Sequence, residues 1–434
     1  MTLGTQKGMG RANQGWLGQD GPTLVYGIAH FGKSLFWYTS ELLFAFYLSE
    51  VCGLGPKTMG WVLAAGLMLG AGADLGFAWR LSRHLTSPAA AARLQWMGAA
   101  LSAICLAATF LIPEIPPAFR IVYAFATGLA FRFAYVLYDV PQNALVSLGT
   151  TDDDSRSRVS ALRIIFSGLA SLGVSLSAIL LFTPGLAWPK AERFFAMGLA
   201  WSLAAIATST ALARLDWQTP PAEAAGRAPT RRAPAVPMSM ALLLALAFIA
   251  SATTSIFAKT EPYYMSYVLK DTNWGGAILI AISAGTAAGP PVWNRLSLHH
   301  SRRIMFGLTA IALIASALAF WAVGRQPAAA LVAAFLFGVA NGGLSVVLWA
   351  AFADAVKVNP RIGAGLAFGL FTAVMKAALA VGVLGLGMAL AAADYRSGVN
   401  AWLLAPMCGI PAAGGGLVLL AMVFKGKRSA RPGR

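Results

Sequence analysis

Twelve times along its 434 residues this chain runs through roughly twenty consecutive, mostly apolar positions, the length a helix needs to cross a bilayer. The blocks lie near 24–49, 58–79, 91–112, 119–148, 160–182 and 192–213, then 238–268, 275–294, 304–323, 328–352, 363–391 and 399–424. Lipid offers no hydrogen-bond partners, so each block must satisfy its main chain internally, and helices do that without an edge. The expected fold is therefore an all-α polytopic membrane protein with twelve transmembrane helices. Only 11% of residues are charged, against roughly 25% in soluble domains. The blocks 119–148 and 238–268 are long enough to be tilted or bent.

The formal charge of +17 could point to nucleic acid, but the basic residues sit between apolar blocks and read as a topology signal instead. With both termini in the cytoplasm, 21 of the 33 Lys and Arg fall on that side and seven on the other. The seven are Lys57, Arg120, Lys190, Arg193, Lys270, Arg325 and Arg396. The expected setting is a bacterial inner (plasma) membrane, with the bilayer and a small-molecule substrate as partners, no nucleic acid, and a monomeric state. Residues 1–19 show no short apolar run before a cleavage site, so no removable signal is expected.

Chemistry of an enzymatic kind has few candidate groups. Cys52, Cys105 and Cys408 are far apart, in neither a disulfide nor a metal spacing. His84, His299 and His300 fall in loops, and His30 stands alone near the start of the first block. No cofactor, no catalytic residue and no metal site is expected, only a coupling ion, H⁺ or Na⁺.

A Pro- and Ala-rich stretch at 214–237 carries Arg227, Arg231 and Arg232 and reads as a flexible linker. It divides the chain into 1–213 and 238–434, six blocks each. "WRLSRHL" (79–85) and "WNRLSLHHSRR" (293–303) follow the second and eighth blocks, the equivalent place in each half. Two parallel halves with a midplane site between them describe the major facilitator architecture, two six-helix bundles. Gly66 with Gly70, and Gly72 with Gly76, are spaced for close helix packing. Asp152, Asp153 and Asp154 read as a solvated turn.

A charge at the centre of a bilayer costs at least ~2.5–3.5 kcal/mol, so each one inside a block needs a reason. These are Lys33, Glu41, Asp74, Arg132, Asp139, Arg163, Lys259, Glu261 and Lys376. Asp139 lies deep in the fourth block, two residues before Pro141, which removes a main-chain donor. Arg132, two turns earlier, shares its face. Lys376 is too deep to snorkel and must meet an acid or a polar ligand. Asp139 and Lys376 come from opposite halves, so the expectation is an acid and a base facing each other across the seam. Lys259 and Glu261 point to different sides and each wants its own partner.

Several stretches resemble the glycoside–pentoside–hexuronide:cation symporter family (melibiose permease-like) of the major facilitator superfamily. They are "YGIAHFGKS" (26–34), "ADLGFAW" (73–79), "YDVPQNALV" (138–146), "ALRIIFSGLASLG" (161–173), "YYMSYVL" (263–269), "FADAV" (352–356) and "VMKAALAVG" (374–382). The resemblance implies alternating-access symport. It assigns Asp74, Asp139 and Lys376 to cation coupling, and Lys33, Asp139 and Arg163 to the sugar. Asn143 and Arg132, with Tyr263 or Tyr264, are further candidates for the solute. Departures from the family pattern are Ser34 for an acid beside the lysine, Gly70 for a second acid, and Ala73 and Val136 for polar groups. Sodium wants several oxygens, so these losses favour H⁺ as coupling ion. Sugars or glycosides are the first-choice solute; a lysolipid or other amphiphile, or a non-transporting receptor or assembly protein, is the alternative.

Overall fold

The computed structural model describes residues 17, 19–81, 87–150, 153–183, 185–217, 238–270, 276–358, 364–397 and 402–429. Twelve helical spans account for nearly all of them. In the first half, α1 starts at Asp20–Tyr38 and continues through π-helical turns at Thr39–Leu43 and Tyr47–Val51. It is followed by α2 (Pro56–Leu81), α3 (Pro88–Phe110), α4 (Arg120–Leu148), α5 (Asp153–Phe182) and α6 (Lys190–Ala213). The second half has α7 (Met240–Tyr264), extended by a π turn at Met265–Leu269, then α8 (Ala277–Ser297), α9 (Arg302–Val323), α10 (Pro327–Lys357) and α11 (Ala364–Ala392). α12 (Ile410–Ser429) follows a π turn at Ala405–Gly409. Ten spans are long and apolar enough to cross a membrane by length and hydropathy, among the described residues. The other two are α1, which carries Lys33, Glu41 and Glu50, and α8, which carries Pro290, Pro291 and Asn294. The linker from 218 to 237, residues 82–85 of the first repeated motif, and Asp152 lie outside the described residues.

Local signals set the ends. Ser87, Ser239 and Ser301 accept hydrogen bonds from the main-chain amides of Ala90, Leu242 and Ile304, capping α3, α7 and α9. Proline opens α3 and α10, where its missing donor costs nothing. α7 stops at Lys270, whose φ of 52° is left-handed.

The first six helices form one bundle and the last six the other. Within the first, α3 crosses α4 at Gly98, where a Cβ would lie 2.3 Å from the Tyr138 nitrogen. Only glycine lets α3 approach the main chain just before Pro141 so closely. In the second bundle α8 and α10 make the same kind of contact. A Cβ at Gly285 would lie 2.0 Å from the Phe335 carbonyl oxygen, and one at Gly338 would lie 2.1 Å from that of Ile282. Of the glycines expected to pack in α2, Gly66 meets Arg132 and Gly70 meets Lys376, but a Cβ at Gly72 or Gly76 would meet nothing within 4 Å. The spacing is right there, yet that face of α2 has no neighbour among the described residues.

The bundles meet along α2 with α11, α5 with α8, and α1 with α7. Contacts concentrate on the side away from Asp20 of α1 and Ser429 of α12, called the far side below. There a Cβ at Gly60 would lie 3.3 Å from the Val383 carbonyl oxygen, and the Ser49 and Tyr263 hydroxyls are 2.8 Å apart. Glu50 accepts from Tyr267 and Tyr395 and from Arg396 at 3.1 Å. The other half of the interface is hollow.

Candidate functional site at the bundle interface

A cavity of about 470 Å³ occupies that hollow half, lined by α1, α2, α4, α5, α10 and α11. It brings together seven residues expected from the sequence: Lys33, Ser34, Asp74, Asp139, Asn143, Arg163 and Lys376. They come from five helices and are spread over more than 300 residues of chain. Only the folded interface makes them neighbours.

Two acid–lysine pairs organise it. Lys33 Nζ donates to Asp139 Oδ1 at 2.5 Å and to Asn143 Oδ1 at 3.1 Å. Asn143 Nδ2 donates back to Asp139 Oδ1 at 3.0 Å, as its position one turn later in α4 allows. Arg163 Nη2 donates to the same Asn143 oxygen at 2.6 Å. Across the seam, Lys376 Nζ donates to Asp74 Oδ2 at 2.5 Å. Lys33, Asp74 and Lys376 are all buried. The other Asp74 oxygen, Oδ1, is buried with no hydrogen-bond partner among the described residues.

This pairing differs from the one expected from the sequence. Lys376 reaches Asp74 rather than Asp139, which takes Lys33 from its own bundle. Arg132 does not pair with Asp139 either: its Nη2 donates to Glu41 Oε1 at 2.9 Å. Sharing a helix face did not bring them together, because the α1 acid is the nearer partner. Glu41 Oε2 also accepts from Lys259 at 2.7 Å, and Lys259 donates to the Glu41 main-chain carbonyl at 2.8 Å. The π turn at Thr39–Leu43 disturbs the regular hydrogen-bond ladder at this point. Arg132, Tyr263 and Tyr264 therefore lie away from the cavity, on the far side. Tyr263 meets Ser49 there, while the Tyr264 hydroxyl is buried without a partner among the described residues.

Three residues of the site had no role assigned from the sequence. Trp37 stands between the two charge groups, its ring 5.8 Å from Lys376 Nζ and 5.5 Å from Arg132 Cζ. His30, a lone histidine in the sequence, lines the cavity. Gln142 fixes its tautomer. Gln142 Nε2 donates to the Ala29 carbonyl at 3.1 Å, so Gln142 Oε1, 3.1 Å from His30 Nδ1, must accept. His30 Nδ1 therefore carries a proton, and in the neutral ring Nε2 is left as an acceptor.

The profile of the family described as MFS/sugar transport protein matches residues 25–425. The chain belongs to this family. As an MFS/sugar transport protein it is a multi-pass membrane transporter, not an enzyme, and its cargo is a small molecule. A glucuronide carrier protein homolog of Escherichia coli (strain K12) is 22% identical over 377 residues, 82% of this chain and 80% of that protein. A putative glycoside/cation symporter, YagG, of the same organism is 24% identical over 150 residues, 35% of this chain and 33% of that one. Among solved structures, a D-xylose-proton symporter superposes with a TM-score of 0.66 at 12% identity, covering 93% of this chain and 96% of that one. The nucleoside transporter NupG gives 0.65 at 14% identity, covering 95% and 100%. At these identities the structures speak for the fold, which is the major facilitator one.

Proposed function

We propose that this protein is a proton-coupled symporter of a sugar-like solute, working by alternating access across a bacterial inner membrane with both termini in the cytoplasm. The observation that carries the reading is the Asp74–Lys376 pair, a buried contact between the two bundles inside the cavity. Protonating Asp74 removes half of that contact and frees Lys376, so occupancy by an ion changes how strongly the bundles adhere on one side. Asp139 does the same for Lys33 at the solute position.

Supporting H⁺ over Na⁺, each acid faces a lysine rather than a shell of oxygens, and Asp74 Oδ1 has no partner to exchange among the described residues. Gly70, Ala73 and Val136 add no ligand. The solute would lie against Lys33, Asn143 and Arg163, with hydroxyls shared between Asp139 and Asn143. With the two acid–lysine pairs neutral, the Arg163 guanidinium leaves one positive charge over. That favours a solute carrying an acid group, and the glucuronide carrier homolog is consistent with it. The hollow lies on the side of Asp20 and Ser429 and the far side is closed, so the conformation described would face the cytoplasm.

Proteoliposome uptake tests this. Of radiolabelled galactose, xylose and glucuronate, glucuronate should accumulate most when an inward proton gradient is imposed, and Asp139→Asn should abolish accumulation. Accumulation driven by a sodium gradient at equal pH, with no response to protons, would overturn the proton assignment.

A further inference from the structure

A second cavity of about 600 Å³ adjoins the first, between α5 of one bundle and α8 and α10 of the other. His30 of α1 and Arg163 of α5 line both, so they stand at the waist of one two-lobed space. Arg163 is engaged with Asn143. His30 has no part in the acid–lysine pairs, yet its ring is fixed on two sides. Tyr26 stacks beside it, the ring centroids 6.4 Å apart and the planes 14° from parallel, and the Tyr26 hydroxyl donates to the Gln142 carbonyl at 2.9 Å. Gln142, tied in turn to the Ala29 carbonyl, accepts from His30 Nδ1. Nδ1 cannot release its proton without breaking that contact, so a proton that comes and goes does so on Nε2.

The charges that act on the ring are Lys33, on its own helix, and Arg163. Lys33 is offset by Asp139 of α4, and Lys376 of α11 by Asp74 of α2. Among the described residues, α6, α8 and α10 bring no Asp, Glu, Lys, Arg or His to either lobe. A proton on Nε2 in the empty cavity would therefore add a second uncompensated positive charge to that of Arg163. An anion at the waist removes that obstacle. We propose that His30 is a solute-linked proton site: a carboxylate-bearing solute draws a proton from water onto Nε2, and the doubly protonated ring then donates to that carboxylate beside Arg163. This rests on the reading that the solute carries an acid group. The carboxylate stays ionised, and the proton returns to water when the solute leaves. Linkage is reciprocal, so a proton on His30 strengthens anion binding by the same factor as the anion strengthens proton binding. His30 thereby selects acid-bearing solutes over neutral ones, and most strongly at low pH. Its proton is distinct from one taken up by Asp74 or Asp139, because it arrives with the solute's charge and not in place of a lysine contact.

The test follows the ring itself. Replacing His84, His299 and His300 by Gln leaves His30 as the single histidine of the full-length chain, and its ring is labelled with ¹⁵N. Without solute at pH 7, the NMR spectrum of the purified protein should show a neutral ring with its proton on Nδ1. Saturating glucuronate should convert it to the doubly protonated form, and glucose should not. Calorimetry in two buffers of different ionisation enthalpy then counts the protons taken up as glucuronate binds. That count should fall by about one in His30→Gln, whose amide can donate but cannot titrate, and the pH dependence of glucuronate affinity should flatten by up to about tenfold per pH unit. If His30→Gln does not fold, the NMR signature of the intact ring decides alone. Glucuronate binding with the ring still neutral would overturn the inference and leave the proposed function standing, as would a ring doubly protonated before any solute is added. Binding of glucose without binding of glucuronate would remove the acid-bearing solute from the proposed function, and this inference with it. If neither bound, this inference would fall, and uptake of galactose and xylose would decide the proposed function.

Discussion

Lys376 Nζ and Asp74 Oδ2 meet at 2.5 Å across the boundary between the two bundles, joining residues 302 positions apart in the chain. Neither charge has another ion partner, among the described residues, and the second Asp74 oxygen has no hydrogen bond at all. A pair of this kind holds two moving bodies together only as long as both members stay charged.

Removing one member should be worse than removing both. Lys376→Gln leaves a buried carboxylate uncompensated, an effect of about 3–5 kcal/mol. The purified variant should melt well below the parent protein. Asp74→Asn combined with Lys376→Gln should recover most of the melting temperature. Proteoliposome uptake should remain absent in the double variant, because nothing is left to titrate. Recovery of uptake along with stability would remove this pair from the coupling machinery.

Closure of the far side rests on Glu41, which holds Arg132 of α4 and Lys259 of α7 at 2.9 and 2.7 Å. Glu41→Gln leaves both cations short of a counter-charge and should weaken that closure. Cys52, at the far end of α1, is fully buried, and it reports the change. Its modification by a membrane-impermeant maleimide should be several-fold faster in Glu41→Gln than in the parent. An unchanged rate would mean that the apolar contacts and the Glu50 cluster hold the far side without it.

Gly70 offers a way to change the ion. A Cβ there would sit 3.9 Å from Lys376 Cδ, ordinary contact, so a larger side chain is accommodated. Gly70→Asp adds a carboxylate one helical turn before Asp74 and supplies oxygens that sodium needs. Sodium should then raise the melting temperature of the variant and leave that of the parent unchanged, as expected for an ion that binds the folded state only. Stabilisation of the parent by sodium would argue that the existing acids already form a sodium site.

The expected spans 24–49 and 192–213 correspond to helices at 20–51 and 190–213, and most other edges agree to a few residues. Such agreement is physical in origin. Membrane crossing depends on hydropathy summed along about twenty neighbours, a local quantity that can be read without knowing the fold. The expense of buried charge is local too, which is why Lys33, Asp74, Asp139 and Lys376 stood out before their surroundings were known. His30 and Trp37 did not stand out, because a histidine or tryptophan in an apolar block costs little and has no required partner.

Partnership is another matter. Asp139 pairs with Lys33 and not Lys376, Arg132 with Glu41 and not Asp139, and Tyr263 and Tyr264 turn to the far side. Coulomb energy depends on the distance between charges, and each residue along a helix turns its side chain by about 100°. Small differences in helix rotation and depth therefore decide which cation reaches which acid. The sequence by itself determined the number of spans, the family and the buried charged residues that have to find partners. Only the tertiary structure decided the pairs, the closed side and the two-lobed shape of the cavity, because those depend on how twelve helices are rotated against one another.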